Sequence, residues 1–404
     1  GGHDNISRVI IVGAGPIGLF TAIALNKAGV KDILVIDPRI DCYIRPGLVN
    51  AKAFEIAEEL LDETIEKGSM NHIKDFERKL YKIAQDKNIK FENYSFQSLQ
   101  NHHMLVTDQN GKMKLLPCDL IIDATGSNRA VINEINRQDL SIPFKIEKIS
   151  QNPIKTQFHA YVKVSDIKLQ ELKEIQDSLE FKDSKSSVLQ REFNWPYSGG
   201  PYFKCHDWGK NKVSIYCDMP DGLPEEKQAS WLKAVAKFYS EKPFTFKQLP
   251  QSRKYGHKPR FTSFTSDPHE VAPSIYYGSE NLPMVIPVGD AQLEPKYRVA
   301  IGVENGINRA EQLVNSLKIK DGEIIHIDYA NYNKGLRPLI AEQKMKIKEF
   351  HEKHRKYLGK KITLTQQLKT PTYFAKHPYS RPTEINEQTH HDEIRSYGPV
   401  RRSR

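Results

Sequence analysis

The run Val9-Ile10-Ile11-Val12-Gly13-Ala14-Gly15-Pro16-Ile17-Gly18 leaves this chain few folds to choose from, because an Ala- and Leu-bearing segment and then Ile33-Leu34-Val35-Ile36-Asp37 follow it. Four β-branched residues in a row read as a buried strand, the glycines open a helix, and the second apolar run completes a βαβ unit. Gly13 suits the tight turn, Gly15 lets the backbone approach a pyrophosphate, and Gly18 lets the helix lie close to the strand. The phosphates are expected around Pro16 and Ile17, where helix N–H groups without intrahelical partners and the helix dipole favour an anion. Asp37, with Pro38 and Arg39 beside it, stands about 20 residues beyond the glycines, the distance at which a carboxylate meets ribose hydroxyls. The expectation is an α/β, Rossmann-like dinucleotide-binding domain.

Two later motifs narrow the choice of dinucleotide. In Asp119-Leu120-Ile121-Ile122-Asp123-Ala124-Thr125-Gly126-Ser127-Asn128-Arg129 an apolar strand runs into a small-residue turn and a basic corner. In Val285-Ile286-Pro287-Val288-Gly289-Asp290 a strand ends in Gly-Asp, and a helix is expected from Gly302 to Leu313. A nicotinamide dehydrogenase needs neither. A protein holding extended FAD uses both: Asp123, Ala124 and Gly126 border the cofactor, Gly289 and Asp290 reach the ribityl chain, and the helix opening at Gly302 turns its positive end to the flavin. A helix cap is the alternative role for Asp290.

In this order the three motifs resemble the p-hydroxybenzoate-hydroxylase class of single-component flavin monooxygenases, and within it the MICAL monooxygenase domain. Gly289-Asp290-Ala291-Gln292-Leu293-Glu294-Pro295-Lys296-Tyr297 is similar to the MICAL run Gly-Asp-x-Leu-Leu-Glu-Pro-Phe-Trp. Asn71-His72-Ile73, Thr262-Ser263-Phe264-Thr265-Ser266 and Arg45 are similar to further elements of that family, and the likeness extends over roughly residues 8 to 320. The resemblance implies that NADPH, bound transiently, reduces FAD, and that O2 then adds at the flavin C4a to give the hydroperoxide that oxygenates a substrate. It implies cofactor or ring-tuning roles for Arg45, Tyr297 and Arg298. As substrate it implies a protein methionine, as in the MICAL enzymes acting on actin, or a small aromatic or other organic molecule. Two departures weaken the finer likeness: Tyr297-Arg298-Val299-Ala300-Ile301-Gly302 keeps one of the family's two glycines here, and Pro46 to Lys52 replaces a loop that the family sets near the ring. An FAD-binding interaction protein that no longer turns over is the competing class.

The rest of the sequence sets limits. At 404 residues the chain exceeds a single core. The FAD-binding domain is expected over 1–140 and 280–320, a sheet-rich substrate domain over 141–279 that would cover the flavin, a basic helical region over 321–369 and a loosely ordered tail over 370–404. Gln157 to Val164 and Lys212 to Cys217 alternate with period two, as half-buried strands do. A formal net charge of +10, concentrated around Lys344 to Lys361 and Arg395 to Arg404, suits an acidic protein surface, an anionic membrane face or nucleic acid equally, or plain solvation, and no recognised nucleic-acid module accompanies it. Four cysteines without a CxxC spacing, no apolar run of membrane-spanning length and no signal-peptide pattern lead to an expectation of a cytoplasmic protein. The pairs His102-His103 and His390-His391 lack the spacing of metal ligands, so no metal is expected. Trp195, Trp208, Tyr197 and Tyr202 read as core or as the lining of a substrate pocket.

Overall fold

The computed structural model describes residues 5–43, 49–66, 72–177, 183, 188–249, 261–296 and 302–362. The expectations for Arg45, Tyr297 and Arg298, and for the 370–404 tail, lie outside the described residues. The described chain divides into two units, one from 5–150 and 268–347, the other from 151–267 and 348–362.

The first unit is built on a parallel sheet. Strands β1 (Arg8–Val12), β2 (Asp32–Ile36) and β3 (Lys90–Glu92) lie side by side, and Leu120–Asp123 and Met284–Pro287 extend the sheet beyond β1. All four pairings are parallel. Such a sheet buries both faces, and this is why its strands read as unbroken apolar runs. Successive side chains of β1 serve two cores. Val9 and Ile11 join the cluster containing Leu19, Phe20 and Ile23 of helix α1 (Pro16–Ala28). Ile10 and Val12 join the one containing Val131, Ile132 and Ile135 of the Ala130–Gln138 helix. Complete burial of each such side chain contributes about 1.5–3 kcal/mol. A three-stranded antiparallel sheet, Ser95–Gln100, His103–Thr107 and Met113–Pro117, adds Leu99, Met104 and Val106 to the second cluster. Helices α2 (Ala51–Leu61) and Gly302–Asn315 complete the layer over α1.

In the second unit Thr156–Lys163 pairs with Lys212–Asp218, Lys247–Gln248 and Phe261–Thr265, and Phe203–Asp207 pairs with Lys212–Asp218. Every pairing is antiparallel; the strands expected from the period of two form, but both of their faces are largely buried where half-burial was expected. Phe158, Ala160, Val162, Val213, Ile215 and Cys217 face a core that also holds Trp195, Trp231 and Leu232. Gln157, His159, Tyr161, Ser214, Tyr216 and Asp218, directly opposite one another in register, form the other face. Trp195 is fully buried and packs against Trp231 and Tyr197, so its place is in the core. The long helix Tyr329–Leu358 contributes residues to both units. Near its end His354 Nε2 meets Asp218 Oδ2 at 2.6 Å, both side chains fully buried, while Gln157 Nε2 and the Tyr202 N–H also donate to Asp218.

Candidate functional site

Parallel pairing brings the three motifs to one place. Val12 is level with Ile36 on one side and with Asp123 on the other, and Asp123 with Pro287. The glycine loop, the Ala124 turn and the Gly289 turn therefore all leave the carboxyl edge of one sheet. The chain steps outward from β1 to β2 and β3 in one direction and fills the other side later, so the sheet changes direction between β1 and Leu120–Asp123. The crevice at such a switch point, outside the carboxyl ends, is where open α/β sheets bind ligands.

Gly13 has φ +112°, a conformation that side chains disfavour, and its N–H donates to Ile36 O at 2.9 Å. Gly18 is required by space: a Cβ there would stand 2.0 Å from Gly13 O and 3.2 Å from Ala124 Cβ. Gly15 is the N-cap of α1 and offers no side chain to the helix, and Pro16 and Ile17 follow, both buried. The first N–H groups of α1 thus stay available to a phosphate, as the FAD expectation requires. Asp37 is 6% exposed and accepts from Ala14 N at 3.0 Å and from Arg39 N at 2.8 Å. It ties the glycine loop to the end of β2, with Pro38 and Arg39 exposed beyond it.

Asp123 stands at the same carboxyl edge, with its side chain committed to the fold. It is fully buried; one carboxylate oxygen accepts from Thr125 N and Oγ1, the other from Val131 N and Ile132 N. Burial raises its pKa, and these hydrogen bonds, led by that of Thr125, oppose the rise. Its carboxylate caps the Ala130–Gln138 helix, whose own N-cap, Arg129, gives no side-chain bond. Ala124 is buried behind Gly18, and Gly126, at φ +73°, opens the short turn that follows.

Arg129 and Glu294 lock the second motif to the third. The guanidinium contacts Glu294 Oε1 at 2.5 Å and donates to Ala291 O at 3.2 Å and Asp290 O at 3.4 Å. Both side chains are at most 6% exposed. Gly289 takes φ +61°, and Asp290 is 4% exposed in the turn that follows. Beneath the turn, fully buried Arg309 donates to Gln292 Oε1 and Gly289 O, at 2.7 and 3.3 Å, and burial lowers its pKa to about 10. Gly302 opens the helix from which Arg309 projects. Arg129 and Glu294 stand inside the motif sequences, but nothing in their spacing announces that they pair; Arg309 carries no sequence signal at all.

A cavity of about 750 Å³, lined in part by His102, Asp119, Tyr277, Met284 and Ile324, opens at the amino edge of the sheet, away from the motifs. Among the described residues no group of three His, Cys, Asp or Glu could hold a metal ion, and no helix is long and apolar enough to cross a membrane. The four cysteines are free thiols, and burial, with the Asp119 charge, pushes Cys118 up to about 12.

Residues 7–135 match the family model described as an FAD binding domain. Nearly the whole chain is similar in fold to three solved structures. BexE, studied for oxidation during BE-7585A biosynthesis, is 14% identical over 96% of this chain and 75% of its own, with a TM-score of 0.56. The Diels-Alderase PyrE3 of pyrroindomycin biosynthesis is 15% identical over 98% and 80%, with a TM-score of 0.50. The tetrameric form of 2-methyl-3-hydroxypyridine-5-carboxylic acid oxygenase is 14% identical over 93% and 96%, also at 0.50. Comparison with curated proteins finds no match. Residues 7–135 thus match an FAD-binding domain, which points to FAD as the cofactor, and the chain shares the fold of these three structures.

Proposed function

We propose that the protein is an FAD-dependent monooxygenase that uses NADPH and O2 to oxygenate a small aromatic molecule. The observation that carries this reading is the convergence of the glycine loop, the Ala124 turn and the Gly289 turn on one sheet edge, locked together by Arg129 and Glu294. When bound and reduced, FAD supplies the activation of O2 for transfer of one oxygen atom. The chain supplies the rest. The open end of α1 holds the pyrophosphate, Asp37 keeps the loop in register, and the Gly289 turn takes the ribityl chain. Arg45, Tyr297 and Arg298 are proposed to border the ring.

The polar face of the second unit's sheet favours an aromatic substrate. The His159 and Tyr216 rings lie 4.6 Å apart, and the Ser214 hydroxyl meets His159 Nε2 at 3.2 Å and accepts from Trp208 Nε1 at 2.8 Å. Stacking surfaces interleaved with hydrogen-bonding groups suit a planar, polar ring. Oxidation of a protein methionine, with actin as the first candidate, is the second reading, favoured by the Gly289 to Pro295 run. Glu294 in that run is occupied by Arg129, however, so this part of the likeness reports scaffold rather than substrate. The test is to load the purified protein with FAD and follow NADPH oxidation in air with phenolic and heteroaromatic compounds or with actin, analysing products by mass spectrometry. Gain of one oxygen on an aromatic compound supports the proposal. Sulfoxide on actin alone moves the assignment to the second reading, and bound FAD without turnover on any of them supports an interaction protein.

A further inference from the structure

The first turn of the Gly302–Asn315 helix carries a buried carboxyl oxygen with no hydrogen-bond partner among the described residues. Met284–Pro287 delivers the chain to the carboxyl edge, and the helix runs back toward the amino edge, where Ile319 of the next strand lies beside Gly29, just ahead of β2. The first turn of this helix therefore stands on the same edge as the glycine loop. Gly306 confirms the proximity, since a Cβ there would come within 3.0 Å of Ile17 Cδ1. In that first turn Glu304 is 8% exposed, and its Oε1 has no hydrogen-bond partner among the described residues.

A buried carboxyl oxygen without a hydrogen bond carries a desolvation cost. Burial raises the pKa of Glu304 despite the nearby charges of Lys52 and Lys346. The neighbouring side chain that could have served as acceptor is already engaged: Asn305 Oδ1 accepts from Arg309 Nε at 2.7 Å, and its Nδ2 donates to Leu339 O. The pyrimidine edge of an isoalloxazine presents carbonyl, N–H, carbonyl. A helix amino end supplies donors for the carbonyls, but the N–H between them needs an acceptor.

We propose that Glu304 is that acceptor, its Oε1 taking the hydrogen bond of the flavin imide N–H and its charge setting how readily the flavin is reduced. The inference rests on the FAD reading above. A carboxylate beside a ring that gains negative charge on reduction disfavours the reduced form. Glu304→Gln keeps an acceptor oxygen and removes the charge, and Glu304→Leu removes both.

The experiment titrates apoprotein with FAD by flavin fluorescence, measures the Tm of the apoprotein, and determines the flavin midpoint potential in wild type, E304Q and E304L. The expected result is that E304L binds FAD roughly tenfold more weakly while its apoprotein melts higher, the signature of a site residue retained against stability. E304Q should bind nearly as wild type, at a more positive potential. Wild-type-like FAD affinity in E304L together with an unmoved potential in E304Q overturns the proposal; if E304L does not fold, the potential of E304Q decides alone. A wild-type chain that binds no FAD overturns the FAD reading and this inference with it, an outcome distinct from equal binding by all three proteins.

Discussion

Replacing Gly18 by Ala tests whether the glycine loop is held by packing rather than by habit of sequence. The added methyl would stand 2.0 Å from Gly13 O, more than an ångström inside contact distance, and 3.2 Å from Ala124 Cβ. That oxygen belongs to the backbone, fixed by the Gly13 N–H bond to Ile36 O and by the Ala14 N–H bond to Asp37, so it cannot rotate away. Helix α1 must therefore move off β1, along a face that packs Leu19, Phe20 and Ile23 into the core. Overpacking typically costs 1–3 kcal/mol. With a backbone partner the upper end applies, about 3 kcal/mol, or roughly 6–9 °C of Tm for a unit of this size. The same displacement moves the amino end of α1, so FAD affinity should fall at least about tenfold. Differential scanning calorimetry of the apoprotein and an FAD titration measure the two effects. A G18A protein that melts within about 1 °C of wild type and binds FAD equally well would refute the packing argument.

Gly15 makes the opposite prediction. Its φ of −79° and ψ of −170° are open to any residue, so Gly15→Val should leave the apoprotein Tm nearly unchanged while abolishing FAD uptake, as judged by flavin fluorescence. Arg129→Ala removes the guanidinium from the buried Glu294, whose Oε1 also lies 3.5 Å from His269 Nδ1, and should cost about 3 kcal/mol in a denaturant titration. For Glu304 the pH dependence has a fixed sign. Its folded pKa lies above the ordinary 4.5, so the folded state binds the proton more firmly, and stability falls as pH rises between the two values. The Tm advantage of E304Q apoprotein over wild type should be smallest below pH 4.5 and reach its full value once pH has passed the folded pKa. A difference independent of pH would remove the titrating carboxyl from the account.

The second unit shows where sequence reading stops. The alternation in Gln157 to Val164 predicts the strand, and the strand forms, because a period of two is a local property of the chain. The histidine that closes on Asp218, 136 residues away on the Tyr329–Leu358 helix, is invisible to the same reasoning. Around His354 the sequence shows a basic helix, and the net charge invites a search for an acidic partner. In the structure His351 and His354 are buried and Lys344 pairs with Glu270 at 2.6 Å, so part of that basic stretch belongs to the fold itself.

What the sequence determined by itself is what short segments decide: the buried strands from runs of β-branched residues, the loop from three glycines with separate geometric duties, and the kind of cofactor from the order of three motifs. These readings survive because each depends on neighbours within a few residues. Tertiary structure alone decided how the polar side chains are used. Asp123 lies in a cofactor motif yet caps a helix, Arg129 meets Glu294 across 165 residues, Arg309 supports a turn 20 residues before it, and Glu304 Oε1 is buried with no hydrogen-bond partner among the described residues. A buried charge or donor takes whatever partner the packed chain brings within about 3 Å. That partner is set by the crossing of distant segments, which no local pattern records.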